Sequence, residues 1–296
     1  MQNAGGLAAV DWLVPDWPVP PGVHALCTTR SGGASRAPRD TLNLGTHVGD
    51  DPAAVETNRR RLQATIRNTT PGARAIFLDQ VHGVGVAHLD PHTPDGTAAD
   101  ACVATSSGVA CTIMVADCLP VLLAHRSGAV VAAAHAGWRG LAGHRGHGVL
   151  ESVFKRFEAL ALVYQAPVAI KNGANTGSSP RERSAGVAQD TLAWLGPCIG
   201  PGAFEVGAEV RAAFCDVSPD ASALFSARTG ALGKYWCDLA GLARLRLGAM
   251  GITHVYGNNS TAPWCTVANA SRFFSHRRDS VALGGSGRFA ASIWRG

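Results

Sequence analysis

The chain has 296 residues, 46% hydrophobic and only 16% charged, against roughly 25% charged in ordinary soluble proteins, so it can bury a substantial core in one large domain or two small ones. Its 26 basic and 21 acidic residues leave a net charge of +5, scattered except for Arg59, Arg60 and Arg61. With no helix-turn-helix, zinc-finger or aromatic RNA-binding pattern beside that charge, nucleic acid is not expected as a partner.

The N-terminus lacks a basic leader, and Asp11 and Pro15 interrupt its apolar run. No window approaches the roughly 18 apolar residues of a membrane helix, so the expectation is a cytoplasmic protein without membrane association, acting as a monomer. None of the eight cysteines forms a CxxC pair, which argues for buried thiols over a disulfide framework or a four-cysteine zinc knuckle.

In chain order, residues 23–29 read as a short strand ending in the glycine-rich turn RSGGAS. Asp50, Asp51 and Pro52 then mark a helix start, and Val55, Arg59, Leu62 and Ile66 mark one helical face. Strands are expected at 75–78 and 84–88 around DQVHG, then at 109–115, 119–124 and 129–134, the last two joined by HRSG. Apolar spacing of three and four predicts a helix over 141–162, and further helices are expected over 204–214 and 238–249. Residues 165–190 carry Gly, Ser, Asn and Arg without periodic apolar positions, which predicts a surface loop or insertion. Strands are expected again at 191–195 and near 252–256. The fold class is α+β, a single domain with helices flanking mixed central sheets.

The stretch VAAAHAGWRG, 131–140, leaves an imidazole at the end of an apolar strand. If HRSG turns on Arg126 and Ser127, residues whose numbers sum to 253 face each other, and Cys118 meets His135. Opposed Cβ atoms lie about 4.5–5.5 Å apart, a gap that a zinc ion with bonds of about 2.1–2.3 Å can bridge. A turn one residue later would put Cys118 opposite Gly137. By position alone a third ligand is open among His82, His125 and His47.

The segments TTRSGGAS (28–35), LNLGTHVGDD (42–51), QVHG (80–83), ADCLPVL (116–122), AHAGWRG (134–140), GPCIGP (196–201), FFSHRRD (273–279) and SGR (286–288) run in order along the chain. Together they resemble the bacterial multicopper-polyphenol-oxidase-like family, or laccase-domain proteins, whose members are regarded as purine nucleoside phosphorylases with adenosine deaminase activity. The resemblance implies a layered α/β/β/α domain and a Zn2+ site on His82, Cys118 and His135. It also implies purine nucleosides, among them adenosine, inosine, guanosine and S-methyl-5'-thioadenosine, and inorganic phosphate as small-molecule partners. Segment 165–190 is longer and more polar than that pattern leads one to expect.

Three protein ligands leave a position open for a reactant, as in catalytic zinc sites. For phosphate, Arg30 on its glycine-rich turn is the preferred residue and Arg139 a second, because a guanidinium matches phosphate oxygens two at a time. Asn43 is a candidate for binding substrate, against the ordinary reading that it bonds its own backbone. His276 and Arg277, in FFSHRRD, are candidates for binding substrate near the pocket. His47, Asp79 and Asp117 are the acid/base candidates, with Asp117 equally suited to supporting a ligand histidine. Two other chemistries share the centre: copper in a polyphenol oxidase, and a metal-free hydrolase with Cys118 as nucleophile and His135 as base.

Overall fold

Alternation of side chains along apolar strands sets the layering of this protein. The computed structural model describes residues 11–171 and 179–296. Its strands are β1 (Val23–Cys27), β2 (Arg74–Asp79), β3 (Val86–Leu89), β4 (Thr97–Ala98), β5 (Ala101–Ala104), β6 (Val109–Val115), β7 (Leu119–His125), β8 (Val131–Ala136), β9 (Thr191–Leu195), β10 (Glu205–Gly207), β11 (Phe225–Ala227), β12 (Lys234–Cys237), β13 (His254–Gly257) and β14 (Phe289–Arg295). Its helices are α1 (Pro52–Thr69), α2 (Trp138–Ala142), α3 (Val149–Lys171), α4 (Pro180–Gln189), α5 (Ala208–Cys215), α6 (Leu239–Ala249) and α7 (His276–Leu283).

One sheet has the order β1-β14-β6-β2-β4, the other β13-β9-β7-β8-β5-β3, and a small third sheet is β10-β12-β11. Val109, Cys111, Ile113 and Val115 of β6 and Ala291 and Ile293 of β14 point inward and meet Leu122 and Ala124 of β7 and Val131 and Ala133 of β8. The residues of opposite parity face outward: Ala110 and Met114 lie under Leu62 and Ile66 of α1. On the far side Val121, Ala132 and Ala134 meet Val153 and Phe157 of α3 and Leu242 of α6. This is the expected α/β/β/α arrangement in a single domain. Parallel pairs (β2 with β6, β3 with β5, β9 with β13) lie among antiparallel ones, which makes both large sheets mixed.

Three details depart from the sequence reading. The helix expected over 141–162 is two helices, because Gly143 ends α2 at a φ of 60°. Much of 165–190 is not loop: α3 runs to Lys171, and α4 opens on a capping box in which Ser179 and Glu182 satisfy each other's backbone N–H groups. Val187 of α4, fully buried, anchors that segment in the core, while residues 172–178 lie outside the described part. The third departure is the register of β7 and β8. The His125 N–H donates to the Val130 carbonyl at 3.1 Å, which makes the turn 126–129 and pairs Pro120, not Cys118, with His135. That register carries Cys118 to the level of Gly137.

Among the described residues no helix is long and apolar enough to cross a membrane. None of the cysteines is disulfide-bonded, and Cys118 is one of two that are not fully buried.

Candidate metal centre and its cavity

His135 follows the parity of Val131 and Ala133, so its ring enters the layer between the sheets at the open end of β8. Cys118 shares the parity of Leu122 and Ala124 and comes just before β7, where Asp117 turns the chain at a φ of 86°. His82 sits in the β2–β3 connection, itself in the left-handed region at a φ of 60°. The three ligand atoms lie within 4.8 Å of one another, with His82 Nε2 3.8 Å from Cys118 Sγ. A tetrahedral zinc site spaces its ligands roughly 3.3–3.8 Å apart, so the trio fits one ion with little adjustment. His125 is buried elsewhere, its Nδ1 2.7 Å from Ser127 Oγ, and His47 lines the same cavity outside the trio.

Gly137 makes the shifted register productive. A Cβ there would lie 2.9 Å from Cys118 Sγ and 3.1 Å from His82 Cδ2. The absent side chain is the space in which the thiol and the imidazole meet. Cross-strand opposition of Cys118 and His135 is therefore unnecessary.

Sequence reasoning missed Asp100. Fully buried, it accepts a hydrogen bond from His135 Nδ1 at 2.9 Å and from the backbone N–H groups of Val81, His82 and Gly83 at 3.2, 2.8 and 2.6 Å. One carboxylate thus orients the ring of His135 and shapes the loop that presents His82, a support commonly found behind metal-binding imidazoles. Burial alone would raise its pKa, but the His135 bond and the loop N–H groups hold it below the usual carboxylate range. The only signal in the sequence is a lone acid ahead of the apolar run ACVA.

The thiol and imidazole polarise each other. Burial opposes ionisation of Cys118, yet the charge of His135 and hydrogen bonds to His135 and His82 bring its pKa down to about 6. For His135 burial acts in the opposite sense, and Cys118 and Asp100 override it to raise the ring to about 9. Each group thus favours the charged form of the other.

The trio forms one wall of a cavity of about 450 Å³. Trp138, Ile199 and Phe204 give it apolar surface, Arg139, Arg277 and Arg288 give it positive character, and His276 also lines it. His276, Arg139 and Arg277, named from the sequence as candidates for binding substrate, all line this cavity. His47, an exposed side chain, also lines the cavity; partial desolvation and the charge of Arg288 lower its pKa, and Asp79 only partly compensates. Asp79 belongs to a smaller adjoining pocket that shares His47 and Met114.

Other nominated residues have structural work. Arg30 does not line the cavity: its Nε and Nη1 donate to the carbonyls of Asp40 and Ala270, and its guanidinium lies 4.7 Å from the Phe274 ring centroid. Asn43 is fully buried and bonds Gly45, Asp50 and the Arg288 backbone. Asp117 lines the cavity, but its oxygens accept from the Thr266 hydroxyl at 2.5 Å and the Arg277 N–H at 2.6 Å, tying α7 to the wall; among the described residues it does not contact a ligand histidine. Arg288, in the SGR segment, was not nominated.

The family described as multi-copper polyphenol oxidoreductase laccase matches residues 24–175 and 173–296. The chain belongs to that family. It is similar to a purine nucleoside phosphorylase of Pseudomonas aeruginosa, 46% identical with 96% of this chain and 98% of the relative covered. The purine nucleoside phosphorylase YfiH of Escherichia coli is 42% identical, covering 95% of this chain and 98% of its own. Among solved structures, a Neisseria meningitidis protein of 40% identity superposes with a TM-score of 0.76 over 96% of this chain and 98% of its own. YlmD of Geobacillus stearothermophilus, 29% identical, reaches 0.74 over 100% of this chain and 98% of its own. Family membership thus covers both the fold and the stretches that carry His82, Cys118 and His135, which could hold a metal ion.

Proposed function

We propose that the cavity is the active site of a zinc-dependent purine nucleoside phosphorylase that also deaminates adenosine. The observation that carries this reading is the convergence of His82, Cys118 and His135 in one wall of a positively charged cavity with apolar sides. The names of the similar proteins, purine nucleoside phosphorylases, support the substrate class.

The donor set fits zinc: two imidazoles and a thiol already drawn toward its ionised form. A bound ion would supply a Lewis acid that lowers the pKa of water. The residues provide the rest. Asp100 holds the proton on His135 Nδ1 and leaves Nε2 facing the site. Trp138, Ile199 and Phe204 offer a purine an apolar wall, while Arg139 and Arg277 at the rim attract an anionic co-substrate. His47, whose pKa is lowered by desolvation and by Arg288, is the side chain suited to take up a proton, since Asp117 has both oxygens engaged. In phosphorolysis a phosphate oxygen bonds to C1′ of the sugar as the bond to the purine nitrogen breaks, giving free base and pentose 1-phosphate. In deamination water adds at C6 of adenosine and ammonia leaves, giving inosine.

The family description favours a second reading, copper at the same His, His and Cys donors in an oxidase acting on phenols. Among the described residues this trio is the one such cluster, whereas multicopper oxidation needs several ligand sets. The close Cys118–His135 pair also suits a third reading, a metal-free thiol hydrolase.

One experiment separates these readings: metal quantification with product analysis on adenosine, with and without phosphate. The primary reading expects near-stoichiometric zinc, inosine without phosphate, and free base with ribose 1-phosphate when phosphate is added. Stoichiometric copper, an intense thiolate-to-copper absorption and phenol oxidation without nucleoside turnover would replace it with the second reading.

A further inference from the structure

Arg288 differs from the other cations of the cavity. Arg139 and Arg277 are exposed; one stacks on Trp138 at 4.5 Å, and the other donates to the Glu205 carbonyl at 3.1 Å. Arg288 is half-buried, and among the described residues it forms no ion pair with a carboxylate. Its Nη1 donates to the carbonyls of Ser286 and Gly287 at 3.1 and 3.0 Å, which satisfies donors without neutralising charge. Burial lowers its pKa, with Cys118 and Asp117 opposing, as befits a cation set inside the wall rather than in solvent.

The chain holds that cation in a clamp built from two distant segments. Asn43 Oδ1 accepts from the backbone N–H groups of Arg288 at 2.8 Å and Gly45 at 3.0 Å, and the Arg288 carbonyl accepts from Leu44 N–H at 2.9 Å. The Asn43 amide donates to Asp50 at 2.8 Å, and its carbonyl accepts from the Asn58 amide of α1 at 2.8 Å. The stem of Arg288 lies directly on Gly45: a Cβ there would be 2.9 Å from Arg288 Cγ. LNLG and SGR thus form one device whose product is a fixed guanidinium in the cavity wall that no carboxylate pairs among the described residues.

We propose that Arg288 binds the inorganic phosphate of the reaction and that Asn43 and Gly45 are positioning residues acting through it. This rests on the phosphorolysis reading above. A partly desolvated cation with no carboxylate paired to it is stabilised when an anion arrives, and a guanidinium receives two phosphate oxygens in parallel. Arg30, for which that role was expected, is occupied by backbone carbonyls outside the cavity.

The test is binding of inorganic phosphate to the metal-loaded protein by calorimetry, beside steady-state kinetics. Arg288→Gln is expected to weaken phosphate binding by about 10- to 100-fold, with Arg288→Lys recovering part of the loss. Gly45→Ala, which keeps the charge and displaces the stem, is expected to raise KM for phosphate more than KM for the nucleoside. Should Arg288→Gln fail to fold, the lysine and Gly45→Ala variants carry the comparison. Equal phosphate binding in wild type and these variants, or none in wild type, overturns the proposal. Phosphate binding that depends on Arg288 in a protein that splits no nucleoside would retain the anion site and reject phosphorolysis.

Discussion

The Nδ1 of His135 lies 2.9 Å from the Oδ1 of Asp100, and the same carboxylate gathers three successive N–H groups of the loop bearing His82. Two rings of the candidate metal centre, separated by 53 positions in the chain, thus share one buried support. Asp100→Asn removes the negative acceptor while keeping the shape, and the expected result is a metal affinity lower by about 10- to 100-fold in a folded protein. Competition with a chromophoric chelator measures it; unchanged affinity would show that Asp100 only packs the loop.

Titration of Cys118 gives a signature independent of turnover. In metal-free protein the thiol loses its proton as pH rises through about 6, so its alkylation by iodoacetamide should climb around that pH and level off above it. A midpoint near the ordinary thiol value of about 8.5 would contradict the mutual polarisation with His135. Zinc should suppress the reaction. Rapid alkylation of a chelated enzyme that is still active, with activity lost in step, would instead favour Cys118 as a nucleophile.

Gly137→Ala tests the space on which the centre depends. The backbone there has an ordinary φ of −70°, so alanine costs little in conformation, yet its Cβ would press on Cys118 and His82. The expected outcome is at least about tenfold weaker metal binding with native circular dichroism, a ligand orientation effect of the size known for metal sites. Full metal occupancy and wild-type affinity would contradict this account.

Asp117→Asn distinguishes support from acid/base chemistry. Because Asp117 holds Thr266 and the start of α7, the variant should raise KM several-fold with kcat changed by less than about tenfold and metal content intact. A collapse of kcat by about 100-fold or more at unchanged KM would make Asp117 the proton carrier.

Leu122, fully buried between the two large sheets, tests the layering. Leu122→Ala is expected to cost about 2–5 kcal/mol in urea unfolding, through lost burial and the cavity left behind. A cost below about 1 kcal/mol would be inconsistent with a close-packed inter-sheet core.

The sequence by itself placed apolar strands at 109–115, 119–124 and 129–134, the last two observed at 119–125 and 131–136, together with the capped start of α1 and the α+β class, because apolar runs and helix caps are local properties. Its ordered motifs also carried the family, and through it the trio of His82, Cys118 and His135. Tertiary structure decided what depends on partners distant in the chain. Turn length set the β7–β8 register and replaced the expected Cys118–His135 opposition with one across Gly137. Packing of Val187 into the core accompanies a helix in a segment whose polar composition reads as loop. Asp100 gained meaning only when β5 came between β3 and β8, and Arg30 and Asn43 exchanged ligand roles for structural ones once their hydrogen-bond partners were in place. A side chain's type limits which bonds it can form; the fold decides which partners reach it.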